Sequence, residues 1–317
     1  MSKTHKTLDI FYRALKGEAL SPKVLKEGYG VSDRTVTRHI NEVKSFLAES
    51  RDLIGYAELE YSQNTKTYSL VTDNFLTDKE MFAVTEVILA SRAFSVEEMD
   101  GILTKLKNFI TTNNREKFLE LIRKETLHYE PVKHELDSVI DTLWSLITYI
   151  DSGNEITISY RKGDNTIVDH RLLPVAVLFS DFYFYLIAYS TKKRKSPIYF
   201  RVDRIHNIVM HNQTFDKSSI PKFDEAEMRK LSQFMHYGKH RTIRFWHTGL
   251  GVQAVLDKIP TAKVVERKKG AYLIEAQTYG EGIIPYLLSQ GDKVTVVEPP
   301  DLVEEMKQTI ANMLKTY

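Results

Sequence analysis

Between Glu155 and Ile208 the chain carries four short runs rich in Ile, Val, Tyr and Phe, with no helical stretch between them. They are Glu155–Tyr160, Thr166–Leu173, Phe182–Tyr189 and Ile198–Ile205, each bounded by Gly, Asp, Asn, Ser or Pro. Strands so closely spaced leave no chain for parallel crossovers. Antiparallel pairing in a small barrel or a strongly curved sheet is therefore expected.

The polar residues in these runs are the unusual part. Period-two alternation puts Tyr199, Arg201 and Asp203 on one face, with Phe200, Val202 and Arg204 on the other. It likewise sets Phe182, Phe184, Leu186 and Ala188 against Tyr183, Tyr185 and Tyr189. A face mixing Tyr with Arg is poor core material and suits an anionic or nucleotide-like guest, because Arg offers a planar donor fork and Tyr a stacking ring. The plainer alternative is that these side chains face water, their stems lying over apolar neighbours.

Several short motifs here resemble one family. Phe184-Tyr185-Leu186 stands where the WYL family carries Trp-Tyr-Leu, with Phe in place of Trp. Tyr160 closes the first strand, His170-Arg171 precedes Pro174, and Phe200-Arg201-Val202-Asp203-Arg204-Ile205 is similar to the family's F-R-L-D-R-I. The resemblance implies an Sm-like barrel in a bacterial transcriptional regulator. It also implies a pocket for a nucleotide or single-stranded nucleic acid effector, formed or supported by Tyr160, His170, Arg171, Tyr185, Arg201 and Arg204.

Upstream, residues 5 to 70 read as a winged helix-turn-helix. His5–Lys16 carries Leu8, Phe11, Tyr12 and Leu15 at helical spacing. Ser21-Pro22 starts a short helix through Lys26, and Gly28-Tyr29-Gly30 supplies the turn. Ser32 then caps Asp33–Ala48, with Val36, Ile40, Val43 and Leu47 inward and Arg34, Thr35, Thr37, Arg38 and Asn41 outward. Arg and Asn on such a helix can bond guanine and adenine edges in a major groove. Ala57–Tyr61 and Thr67–Val71 flank Gln63-Asn64-Thr65-Lys66 as a wing. Ser32, Arg34, Thr35, Thr37, Arg38 and Asn41 are the candidate DNA-binding residues, and V-S-x-R-T-V-x-R-x-I resembles the recognition helix of DeoR-like regulators. Bulk charge is silent on the point, since Lys3 to Lys66 holds eleven basic and nine acidic side chains. Any helical packing domain with solvated charges would fit those numbers as well.

Residues 74 to 151 read as helical. Thr77-Asp78-Lys79-Glu80 is a capping box ahead of an apolar side of Phe82, Val84, Val87, Ile88 and Leu89. Further helices are expected from Ser95 through Ile110, over Arg115–Thr126 and over Val132–Ile150, with Trp144, Leu143, Ile147 and Ile150 as core. Lys192-Lys193-Arg194-Lys195 either steers phosphate-bearing ligands or is a solvated loop. A linker with one helix, Asp224 to Met235, follows. His236 and His240 have a helical metal spacing, but Gly238 falls between them and no third ligand is evident, so no metal site is expected.

The C-terminal segment contains a dinucleotide-like fingerprint. Thr242–His247 reads as a strand, Gly249-Leu250-Gly251-Val252-Gln253-Ala254 matches G-x-G-x-x-A, and Glu266 ends the next strand. The alternating strand, the short helix Val252–Lys258 and the tight turn Lys268-Lys269-Gly270 into Tyr272–Gln277 oppose a parallel unit. With a strand Lys293–Val297 and a helix Pro300 to Tyr317, the order β–α–β–β–α–β–α fits a ferredoxin-like arrangement instead. Leu287-Leu288 through Gly291, Val294, Val296 and Pro299 resembles the WCX-type extension that often follows WYL domains.

The expected fold class is α+β multidomain. A winged helix-turn-helix spans 1–72, a helical linker or dimerisation region 73–151, an Sm-like barrel 152–212, a linker 213–239 and a ferredoxin-like domain 240–317. With 42% hydrophobic and 27% charged residues the composition is that of a soluble protein, and with no cysteine it allows neither disulfide nor Cys-based metal site. The N-terminus lacks a signal-peptide core and no run is long enough to span a bilayer, so a cytoplasmic location is expected. The functional expectation is a repressor that binds a palindromic double-stranded DNA operator as a homodimer, with no cofactor, no metal, no membrane partner and no enzymatic activity. The resemblance points to phage defence or DNA-damage responses as its setting. The alternatives are a non-regulatory single-stranded nucleic-acid-binding protein using the barrel, and a nucleotide-binding enzyme using the glycine-rich turn.

Overall fold

The computed structural model describes residues 2–73, 76–192, 196–216, 220, 230, 234–235 and 239–317. The helix expected over Asp224–Met235 falls almost wholly outside these residues, and Lys193–Lys195, His236 and Gly238 fall wholly outside them. The chain divides into two compact units, Met1–Pro131 and Val132–Tyr317.

The first unit begins with α1 (Lys3–Leu15), α2 (Pro22–Tyr29), α3 (Asp33–Glu49) and α4 (Arg51–Ile54), followed by the antiparallel hairpin β1 (Ala57–Ser62) and β2 (Thr67–Thr72). Ser32 caps α3 by accepting the Thr35 N–H at 3.3 Å, and Gly30 ends α2 with φ +61°. Helix α2 thus runs one turn beyond the expected Lys26, and Gly30 alone makes the turn. The expected inward face of α3 is buried as a set, packing with Ile10, Ala14, Leu20, Leu25 and Leu59. Each such burial contributes on the order of 1.5–3 kcal/mol. On α1 the expectation fails: Ile10 and Ala14 are buried, Phe11 packs beside them, and Leu8, Tyr12 and Leu15 are exposed. Six of the eight residues from Leu8 to Leu15 are apolar, so several stripes fit helical spacing and spacing alone could not choose among them.

The same unit continues with α5 (Asp78–Ser91), α6 (Val96–Leu106) and α7 (Arg115–Thr126). Capping boxes at Thr77 and Ser95 start the first two. Their core is Met81, Leu89, Met99, Leu103, Ile110, Phe118 and Ile122. Val84 and Val87, expected inside, are exposed. The polar Thr85 takes the buried place by donating its hydroxyl to the Met81 carbonyl at 2.7 Å.

The second unit opens with α8 (Val139–Ser152), seven residues later than expected. It packs Leu146, Leu143, Tyr149 and Ile150 onto the sheet that follows, while Trp144 and Ile147 are exposed rather than core. That sheet has five antiparallel strands: β3 (Asn154–Arg161), β4 (Ile167–Ser180), β5 (Tyr183–Ser190), β6 (Ile198–Arg201) and β7 (Ile205–Thr214), in the order β6-β5-β4-β3-β7. Pro174 sits at a register shift in β4, and the strand resumes beyond it to Ser180. A second antiparallel sheet holds β8 (His240–His247), β9 (Lys263–Lys268), β10 (Ala271–Tyr279) and β11 (Val294–Glu298), in the order β11-β8-β10-β9. Helices α9 (Val252–Lys258), α10 (Ile283–Ser289) and α11 (Pro300–Leu314) supply the core opposite Ile243, Phe245, Ile274 and Ala276. β8 and β9 are not neighbours, so the G-x-G-x-x-A segment does not sit in a parallel βαβ unit. Among the described residues no helix is long and apolar enough to cross a membrane.

Candidate functional site

Two places bring chemistry-bearing side chains together. The first is the outer face of α3, where Arg34, Thr37, Arg38 and Asn41 are exposed and share a shallow groove with Thr35, Glu42, Ser45, Phe46 and Glu49. Ser32 is committed to the cap, and the half-buried Thr35 hydroxyl lies 3.0 Å from that of Ser32. The Thr37 hydroxyl donates back to the Asp33 carbonyl at 3.0 Å. Arg34 and Asn41 project without a local ion pair or hydrogen bond among the described residues, and Arg38 lies 3.9 Å from Glu42.

Glu42 is the residue the sequence reading missed. Its carboxylate meets Lys3 at 2.9 Å, accepts the Thr7 hydroxyl at 2.8 Å and lies 3.3 Å from the buried His39 ring. Lys3, then Thr7, hold its pKa down to about 2. The signal available was a Glu three residues after a His on the boundary of the buried stripe. Its partners, however, lie on a different helix more than 30 residues away, beyond the reach of local spacing.

The second place is the end of β6. The strand stops at Arg201, and Val202–Arg204 form a 3-10 turn, so the expected alternation through Ile205 breaks there. Arg201 donates a fork to the buried Asp203, Nε to Oδ1 at 3.1 Å and a terminal nitrogen to Oδ2 at 2.8 Å. Its guanidinium lies 3.4 Å from the Tyr183 ring centroid. Tyr185 faces Arg201 directly across the β5–β6 pair, and burial pushes its hydroxyl up to about 12 despite that cation.

Tyr160 and His170 lie on the other face of the sheet. Their rings gather around Phe200 at 5.1 Å each, and the Arg201 backbone N–H donates to the Tyr160 hydroxyl at 3.3 Å. Burial raises the Tyr160 pKa against the opposing charge of Arg204, and burial lowers that of His170. Arg204 itself is half-buried and has no ion pair or hydrogen bond among the described residues.

Arg171 does not join them. Strand alternation turns it away from His170, onto Glu155 at 2.9 Å and onto Gln213. The six candidate effector residues are therefore split. Tyr185 and Arg201 share one face, Tyr160 and His170 the other, Arg204 sits in the turn, and Arg171 is a cross-strand ion pair. Tyr183, expected on the same face as Tyr185 but not among the six, joins Arg201 there, and the Glu135–Arg161–His206 cluster was not foreseen. Glu135 accepts two bonds from Arg161 at 2.9 and 3.1 Å and lies 3.2 Å from His206, linking the segment before α8 to β3 and β7.

The chain is thus a mixed α/β protein, with an arginine-bearing capped helix in one unit and antiparallel sheets in the other. Residues 141–210 match the WYL domain and residues 240–314 the WCX domain, so the second unit carries a WYL domain followed by a WCX domain. No curated protein matches it. Among solved structures it is similar to proteasome accessory factor B/C (PafBC) of Arthrobacter aurescens, with 15% identity and a TM-score of 0.33, covering 94% of this chain and 46% of that one. It is also similar to a CRISPR Cas-related protein, with 12% identity and a TM-score of 0.41, covering 100% of this chain and 84% of that one. The chain spans under half the length of the first, and both TM-scores are too low to carry a functional argument.

Proposed function

We propose that this protein is a transcriptional regulator, acting as a repressor, that binds an operator through α3 as a homodimer and responds to a nucleotide or single-stranded nucleic acid at the WYL domain. In this reading residues 1–72 are a winged helix-turn-helix, the five-stranded sheet with α8 is an Sm-like barrel, and residues 240–317 are ferredoxin-like. The strand order β11-β8-β10-β9 with helices after β8 and β10 supports the last of these. The observation that carries the reading is α3 itself: a fully buried apolar stripe fixes which way the helix faces, leaving Arg34 and Asn41 free, and Arg38 exposed with only a 3.9 Å contact to Glu42, for base edges and phosphates.

For the effector, Arg204 is the favoured anchor, because Arg201 already spends its fork on Asp203. Tyr160, the ring that feels the Arg204 charge, is the nearest candidate for stacking a base. The antiparallel order of the second sheet leaves Gly249 and Gly251 outside a parallel dinucleotide-binding unit, which favours the regulator over a nucleotide-binding enzyme. The test is selection of bound duplexes from a random pool by the full chain, with the oligomer measured by light scattering. Enrichment of one inverted repeat by a dimer supports the reading. Recovery of single strands alone, surviving deletion of residues 1 to 70, supports the single-strand alternative and overturns it.

A further inference from the structure

The loop joining α6 to α7 is fastened at both ends of the first unit. On one side Asp78, in the first turn of α5, accepts the Thr111 N–H at 3.0 Å, the Thr111 hydroxyl, and the Asn114 amide at 2.6 Å. These bonds hold the Asp78 carboxyl below the usual range although its burial opposes them. On the other side the loop grips the end of α1. The Thr112 N–H donates to the Lys16 carbonyl at 3.2 Å, and the Lys16 ammonium donates to the Asn108 carbonyl. That ammonium lies 5.5 Å from the Tyr12 ring and 5.9 Å from the Phe109 ring.

Gly17 makes the approach possible. It adopts φ +70°, and a Cβ there would stand 2.2 Å from Cγ2 and 2.6 Å from Cβ of Thr111. Only a residue without a side chain lets backbone and loop meet.

We infer that Asp78, Thr111 and Gly17 are positioning residues that set the pose of the DNA-reading helix on the helical region, with the segment from Lys107 to Asn114 as the fastening. Helix α1 is packed on α3 and tied to it through Thr7, Lys3 and Glu42, so whatever fixes the end of α1 fixes α3 as well. Nothing in the fastening touches the reading face, so it acts on orientation rather than on contact. In a dimer, orientation matters only where two helices must meet two half-sites at one spacing.

The inference rests on the proposed operator binding. The experiment compares the full-length chain with Gly17→Ala, which drives a side chain into Thr111, and Asp78→Ala, which frees the loop from the opposite end. Each is titrated with a duplex carrying both half-sites, the same duplex lengthened by two base pairs between them, and a single half-site. Thermal melts confirm that the variants are folded. Both variants should lose about tenfold or more on the two-site duplex and discriminate less against the lengthened one, while half-site affinity stays within about twofold. Equal losses on half-site and full site would show that the contact merely supports the winged unit. Unchanged affinity and unchanged spacing preference would show that the loop positions nothing. If the unaltered chain binds neither duplex, the operator reading fails and this inference with it. If it binds and both variants behave like it, the fastening alone is wrong.

Discussion

Arg201 and Arg204 look interchangeable in the sequence and do different work in the structure. Arg201 is bonded to a buried carboxylate, and removing one partner of such a pair strands the other. Asp203→Ala is expected to cost about 3 kcal/mol in urea unfolding, since an unpaired guanidinium would then sit against Tyr183 in a half-buried place. Arg204→Ala should change stability by no more than about 0.5 kcal/mol, having no ion pair or hydrogen bond among the described residues to lose. Response to a single-stranded oligonucleotide should disappear with Arg204 all the same. Glu42 provides a pH test of a different kind. Its folded pKa lies near 2 and its unfolded value near the usual ~4.3, so its contribution is present above the unfolded value and is lost as pH falls toward the folded one. Acid unfolding of the Glu42→Gln variant should therefore lack the part of the wild-type decline between about pH 4 and pH 2. A variant that follows the wild-type curve through this window would remove Glu42 from the account.

At the scale of elements, the N-cap and the buried stripe make α3 the best-determined helix. Ser32→Ala should cost about 1 kcal/mol and reduce duplex affinity through a loosened first turn. On α8 the contrast lies within one helix: Leu146→Ala is expected to cost about 3 kcal/mol, and the exposed Trp144→Ser next to nothing, in the same denaturant titration. Legibility followed the same division. The stripe Val36, Ile40, Val43 and Leu47 was readable because polar residues occupy the rest of α3. Helices α5 and α8 carry apolar side chains on most sides, and in α1 six of the eight residues from Leu8 to Leu15 are apolar, so periodicity named the helix without naming its face. Strands β3 to β6 were legible as strands. The turn after Arg201 was not, because Val202-Asp203-Arg204 has no Gly or Pro, and the fork between Arg201 and Asp203 is what the 3-10 geometry brings together. β7 escaped notice because its pattern of exposed and half-buried residues, with Asn207, Asn212 and Gln213 among them, reads as loop.

For the whole molecule, the two halves carry different sorts of evidence. The β domains are tied to WYL and WCX by sequence, whereas the proposed DNA-reading role rests on one helix and its cap. A net charge of only +2 means that duplex binding would have to come from local placement, and the slope of affinity against salt would count the phosphates contacted there. The most direct test is therefore the affinity of the full chain, across salt concentrations, for the duplex it selects and for a scrambled duplex, with Arg34→Ala, Arg38→Ala and Asn41→Ala beside it. The account predicts a clear preference for the selected duplex. It also predicts that each variant loses about 1–3 kcal/mol of discrimination, while binding to the scrambled duplex changes much less. Equal binding of both duplexes by the wild type, or discrimination that all three variants retain, would contradict it.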